Sequence, residues 1–136
     1  MENIWIGQLL PENADDEKKV IAFARRFEEP AYGIYFYAKT PQKEVAGYTR
    51  ANLKNQLLSF PDISLTNIIS VDILQIDPFM QGKGIARKLI VALEEFTKNQ
   101  GFDKIYVADS VNNSFWEHMG FKPVKRSLIT LVKNLR

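Results

Sequence analysis

The stretch Ser70–Lys98, SVDILQIDPFMQGKGIARKLIVALEEFTK, decides how this chain of 136 residues is read. Ile68, Ile69, Val71, Ile73, Leu74 and Ile76 form a nearly continuous apolar, mostly β-branched run. That is the pattern of a central strand covered on both faces. Pro78 closes the strand. From Ile85 the apolar residues recur at Ile85, Leu89, Ala92, Leu93 and Phe96, which is helical spacing, while Arg87, Lys88, Glu94, Glu95 and Lys98 take the other side. Glu94 and Lys98 make an i,i+4 pair. Gly101 followed by Phe102 supplies a left-handed stop with its hydrophobic contact, so the spacing predicts a helix from Ile85 to about Gln100.

Between strand and helix lies Gln81-Gly82-Lys83-Gly84-Ile85-Ala86. Missing side chains let a ligand approach backbone N–H groups where a helix presents its unpaired N-terminal donors, and together these make an anion site. The loop is not of the Walker type, because the G-x-x-x-x-G-K-[ST] spacing is absent. It also fails the dinucleotide pattern, since Arg87 stands where the third glycine belongs. The glycines taken alone also suit an ordinary tight turn.

Strand, D-P-x-x-Q-G-K-G-I-A and helix together resemble the acetyl-CoA-binding motif of the GNAT N-acetyltransferase superfamily. Gln81, Gly84 and Ala86 match its Q/R-x-x-G-x-G/A signature. Asn112–Phe121 (NNSFWEHMGF) resembles the second motif of that family, a short helix ending in Gly-Phe. The two motifs stand in the right order and span Ile69–Phe121; the first half of the chain carries no family signature.

The resemblance implies an acetyl-CoA-dependent N-acetyltransferase that moves the acetyl group directly to an amine. It implies that the diphosphate rests on the N–H groups of Gly82, Lys83, Gly84, Ile85, Ala86 and Arg87, with Gln81 bracing the loop. The pantetheine arm then pairs with Leu74, Gln75 and Ile76 as an added strand, and Asn112 and Phe115 join the cofactor-binding set. The thioester carbonyl is polarised by a backbone N–H beside a bulge near Ile73 or Leu74.

Catalytic groups are sought at Asp72, Asp109 and Trp116. Asp72 lies inside an apolar run, where a carboxylate must be paired, hydrated or raised in pKa; a hydrogen-bonded structural aspartate is the competing reading. Asp109 ends the next strand, where Asp and Ser are also ordinary loop starters. Trp116 occupies the position where the family commonly has a tyrosine that protonates the departing thiolate. Indole donates a hydrogen bond but no proton, and the competing reading of Trp116 is that its ring packs the pantetheine wall. A thiolate with a pKa of about 8.5 is a tolerable leaving group near neutrality, so the loss is a handicap and not abolition. The amine is the harder problem: at a pKa near 10.4 only about one lysine-like amine in 2,500 is neutral at pH 7.

The whole chain bounds these expectations. Its length suits a single domain over 1–136. Hydrophobic content of 46% with 25% charged residues is ordinary for a globular protein. No apolar run is long enough to span a bilayer, and Met1-Glu2-Asn3 does not open a secretory signal, so no membrane partner and a cytoplasmic location are expected. Zero cysteines exclude a disulfide, a thiolate nucleophile and hence a cysteine acyl-enzyme, and with one histidine no metal site is expected. A formal charge of +2 argues against a nucleic-acid partner.

Elsewhere, Asn3–Leu10 alternates as a first strand. Asn13 caps a helix whose stripe is Val20, Phe23, Ala24 and Phe27. Tyr32–Tyr37 and Val45–Arg50 form a hairpin. Leu53–Asn67 has no clear period and is read as a helical turn near Leu57 followed by a loop. Lys104–Val107 is a strand, Ser114–Met119 a short helix and Leu128–Val132 a final strand. The order β-α-β-β-β-α-β-α-β gives an α/β fold, in GNAT-like terms a mixed, mostly antiparallel sheet flanked by helices.

The alternative to an enzyme is a non-catalytic acyl-CoA-binding regulatory module. A toxin-like acyltransferase acting on a charged macromolecule is a third reading. Homodimer formation through the sheets is expected by analogy only.

Overall fold

The computed structural model describes residues 3–57, 65–107, 113–123 and 131–135. Strand β1 (Trp5–Gln8) is shorter than the alternating segment, because the chain turns just after it: the Leu10 N–H donates to Asn13 Oδ1 (3.3 Å) and the Asn13 N–H to the Leu10 carbonyl (2.9 Å). Asn13 therefore precedes helix α1 (Ala14–Ala24) without capping it through its side chain. Asp15, Asp16 and Glu17 place negative charge at the helix start instead. Val20, Phe23 and Ala24 are buried as the spacing predicts, but Phe27 is 37% exposed. The helix ends before it, and tighter bonds from Arg26 to Phe23 and from Phe27 to Ala24 carry its ring off the stripe.

Strands β2 (Ile34–Lys39) and β3 (Val45–Leu57) form the expected hairpin around Thr40–Glu44, with Lys43 at φ 65°. Strand β3 continues through Leu57, so the helical turn expected there is replaced by strand. The sequence hides this because Asn52 and Lys54 make one face polar while Leu53 stands 58% exposed. Strand β4 (Leu65–Ile76) starts earlier than the apolar run. Ile68, Ile69, Ser70 and Val71 are buried in succession, as a strand covered on both faces requires, whereas 72–76 are only half-buried.

A short 3₁₀ turn (Pro78–Met80) leads to helix α2 (Ile85–Asn99). Its stop is the expected one: Gly101 sits at φ 93°, with its N–H on the Lys98 carbonyl and the Phe102 N–H on the Thr97 carbonyl. Ile90 and Thr97 are buried beside Ile85, Leu89 and Leu93, so the buried face is wider than the stripe read from sequence. Glu94 takes Lys133 as its ion-pair partner (2.9 Å). Strand β5 (Lys104–Val107) matches its expected bounds, and helix α3 (Asn113–His118) begins one residue early. Strand β6 (Lys122–Pro123), too short to show a pattern, was not expected, and β7 is Leu131–Asn134, with 124–130 outside the described residues.

The fold is mixed α/β with one seven-stranded, mostly antiparallel sheet in the order β1-β2-β3-β4-β5-β7-β6. Strands β1 and β2 are antiparallel with Trp5 opposite Lys39, and β5 and β7 are antiparallel with Lys104 opposite Asn134. Strands β4 and β5 run parallel with Ser70 opposite Tyr106, the pairing that needs a crossover such as α2. Among the described residues no helix is long and apolar enough to cross a membrane.

Contacts divide the chain into two units, Met1–Arg50 with Ile73–Leu93, and Ala51–Asp72 with Glu94–Arg136. In the first, Val20, Phe23, Ala24, Tyr37 and Tyr48 form a core edged by Leu9, Tyr35, Val45 and Ile73. Two buried tyrosines reach carboxylates: Tyr37 donates to Asp16, which also holds Lys39 (2.9 Å), and Tyr48 donates to Glu28 (2.6 Å). Burial, and then the carboxylate each meets, pushes both phenols well above their usual range. The Tyr37 hydroxyl first, and Lys39 next, hold the Asp16 carboxyl below its ordinary value.

Because Asp16 titrates lower when folded than when unfolded, its stabilisation is complete above the unfolded value of about 3.9 and is lost as pH falls through the folded value. Asp16→Asn should therefore lower stability by about 1–2 kcal/mol at neutral pH. Its melting temperature should converge with that of the parent below about pH 4. Thermal melts from pH 7 to pH 2.5 check this, and a constant gap would refute it.

In the second unit, Trp116 packs edge-on to Phe115 (5.0 Å) and Phe121 (5.1 Å), with Ile105, Val107, Met119 and Leu131 also buried.

Candidate functional site

The expected loop lies wholly in the first unit. Its shape starts with Asp77, directly after β4. The Asp77 N–H donates to the Ala46 carbonyl (2.8 Å), and its Oδ1 accepts the Phe79 N–H (2.9 Å), capping the 3₁₀ turn that has Pro78 at its first position. Its other oxygen lies 3.6 Å from Arg26 Nη1. Gln81 is extended and exposed, and Gly82 and Gly84 follow at φ 83° and 77°. A Cβ on either glycine would meet no atom within 4 Å, so the glycines answer the backbone conformation and leave open space above it. The helical ladder begins with the Lys88 N–H on the Gly84 carbonyl (3.1 Å). Ile85, Ala86 and Arg87 thus supply first-turn donors that lack intrahelical partners, while Ile85 is buried and anchors the end.

The charges agree with an anionic guest. Helix α1 starts with three acids, as a helix dipole favours, but the first turn of α2 has none and carries Arg87 and Lys88 next to Lys83. The residues present therefore fit a diphosphate: bared amides, a dipole end and three side-chain cations.

Leu74, Gln75 and Ile76 lie half-buried immediately before this loop. Two neighbours on β3 shape them. The buried Thr49 hydroxyl donates to the Ile73 carbonyl (2.8 Å), so a side chain serves a main-chain acceptor of the strand. At Gly47 an added Cβ would lie 2.9 Å from the Gln75 oxygen and 2.6 Å from Ile76 Cδ1. Gly47→Ala should therefore push 74–76 away, at about 1–3 kcal/mol of stability. Its functional mark should be a raised acetyl-CoA KM, read in steady-state kinetics at saturating amine; an unchanged KM would separate Gly47 from the site.

Asp72, in the second unit, is 14% exposed, with one oxygen on Lys54 and the other on Asn52. Trp116 is 6% exposed within its aromatic trio. His118 places Nδ1 against the Ser114 carbonyl (2.7 Å). Asp109 and Asn112 lie outside the described residues. Among the described residues no group of three or more His, Cys, Asp or Glu could hold a metal ion. Gly47 and Thr49 escape the sequence reading, which holds Asp77 only as the opening of D-P-x-x-Q-G-K-G-I-A, and its capping role shows in an aspartate before proline.

The architecture is shared with solved structures. A GNAT-family N-acetyltransferase (YhbS) from Escherichia coli, solved with CoA, superposes with a TM-score of 0.73 at 16% identity, over 100% of this chain and 83% of its own. An aminoglycoside acetyltransferase from an uncultured soil metagenomic sample, solved with trehalose, gives 0.67 at 20% identity, covering 93% and 91% of the two chains. The AtaT Y144F mutant toxin bound to the C-terminus of the antitoxin AtaR gives 0.70 at 15% identity, covering 97% and 93%. At these identities the likeness shows the fold. No curated protein matches the sequence. The model of the acetyltransferase (GNAT) family matches residues 2–121, and with the glycine loop and sheet order described above, the chain belongs to the GNAT acetyltransferase family.

Proposed function

We propose that residues 1–136 act as one acetyl-CoA-dependent N-acetyltransferase domain that passes the acetyl group directly to a primary amine. The observation that carries this is the loop Gly82–Arg87, two glycines at positive φ opening a helix whose first turn is basic. When bound, acetyl-CoA supplies the activated acyl group. The chain's part is to hold the diphosphate on these amides and the pantetheine along Leu74–Ile76. In the transfer, the amine nitrogen forms its bond to the acyl carbon as the carbon–sulfur bond breaks, and the amine proton leaves as the thiolate gains one. The aminoglycoside acetyltransferase neighbour supports a small-molecule amine; a charge of only +2 gives less support to a macromolecular polyanion as target.

One observation favours a second reading, a non-catalytic acyl-CoA-binding module: Trp116, at the position where the resemblance implies a tyrosine, is packed into a core. Turnover separates the two. Calorimetric titration with acetyl-CoA should give micromolar or tighter binding, and thiol release against small amines, polyamines and peptides should be sustained with at least one. Binding without release for any amine would replace the enzyme by the module; no binding would end both.

A further inference from the structure

The first unit holds an open cleft of about 610 Å³. Its walls are the β1–α1 connection, one side of α1 and the segment entering β2, with Leu10, Ile21, Tyr32 and Tyr35 as its larger side chains. The volume is that of a small-molecule site, the lining is mostly apolar, and Glu17 is its one charged residue among the described residues.

Glu12, Asp15 and Glu29 are exposed and stand outside the lining, while Asp16 is committed to Tyr37 and Lys39 and Glu28 to Tyr48 and Arg50. The Glu17 side chain, by contrast, has no hydrogen-bond or ion-pair partner among the described residues. At the mouth, Tyr32 is 98% exposed. The wall behind it is fixed: the Tyr35 hydroxyl donates to the Ala31 carbonyl (2.6 Å), the Leu9 N–H donates to the Tyr35 carbonyl (2.8 Å), and Pro11 and Pro30 stiffen the two strands of chain that bound it.

A hollow with one uncommitted carboxylate among aliphatic and aromatic side chains complements one positive charge on an apolar body: the carboxylate meets the charge, and the apolar wall takes the rest. A polycation would leave charges against Leu10 and Ile21, and a neutral ligand would gain no ion pair from Glu17. We propose that this cleft binds a primary monoamine carried on an apolar, aryl-sized body.

The test is calorimetric titration of the full chain with 4-phenylbutylamine, its neutral counterpart 4-phenylbutan-1-ol and the dication 1,4-diaminobutane, repeated on Glu17→Gln and Tyr32→Ala. Both positions are exposed, and circular dichroism confirms that the variants fold. The monoamine should bind about five- to tenfold tighter than either comparison ligand. Glu17→Gln should erase its advantage over the alcohol, and Tyr32→Ala should weaken both aryl ligands. Equal binding of amine and alcohol, no binding of the amine, or a preference that survives Glu17→Gln overturns the cleft. A separate titration with acetyl-CoA keeps the failures apart: amine binding without acetyl-CoA binding removes the acyltransferase reading and supports the cleft, whereas acetyl-CoA binding with no preference for the monoamine does the reverse.

Discussion

Replacing Gly84 by glutamate should reduce acetyl-CoA affinity by at least about a hundredfold while the domain stays folded. Two effects act together. At φ 77° an L-residue strains the loop, and relief of that strain moves the amides that open α2. The new carboxylate also stands in the open space above the loop, where a diphosphate would lie, and repels it at a helix end whose first turn has no other acid. Folding survives because no atom lies within 4 Å of the added Cβ. The strain of about 1–2 kcal/mol is a fraction of the usual 5–15 kcal/mol of domain stability. Gly84→Ala, which strains without adding charge, should fall between parent and Gly84→Glu. Calorimetric titration beside a thermal melt is the measurement, and micromolar binding retained by Gly84→Glu would remove the loop as the diphosphate site.

The largest expected effect on stability comes from Glu28→Ala. Glu28, 20% exposed at the side chain, accepts the Tyr48 hydroxyl at 2.6 Å and Arg50 Nη1 at 2.7 and 2.9 Å, while Arg50 is 11% exposed. Truncation leaves a buried phenol and a nearly buried guanidinium without their carboxylate, at about 3 kcal/mol, or a fall in melting temperature on the order of 10 °C. Glu28 also ties the segment after α1 to β3, and that segment bounds the cleft beside Tyr32 and Tyr35. Loss of affinity for an aryl amine should accompany the loss of stability. Tyr48→Phe, which keeps the Glu28–Arg50 pair, should lose only about 1 kcal/mol. If Glu28→Ala melts within a few degrees of the parent, the cluster is not a tie.

The parts that sequence revealed are those whose causes are local. Proline at 78, glycines at 82 and 84 and a helical period from Ile85 lie within one short stretch, and each acts on its own neighbours, so strand end, loop and helix could all be read. Lys104–Val107 was equally plain. Strand β3 was not, because its far half is held by pairs that need a partner from another strand: Asn52 and Lys54 make sense only beside Asp72. The same holds for Arg26 with Asp77 and Thr49 with Ile73, contacts across long sequence separations that no periodicity announces. The cleft was hidden for a related reason, since Pro30–Gly33 has no period and gains meaning only against α1. Asp109 and Asn112 stand outside the described residues, so their expected roles rest on the resemblance alone.

Arg87 and Lys88 at the start of α2 have a practical corollary. A helix that carries cations at its own positive pole is electrostatically ill-matched until a counter-ion arrives, and any multivalent oxyanion in solution can serve. Apparent thermostability of this protein then becomes partly a property of its buffer, and melts recorded in phosphate and in Tris describe two differently liganded species.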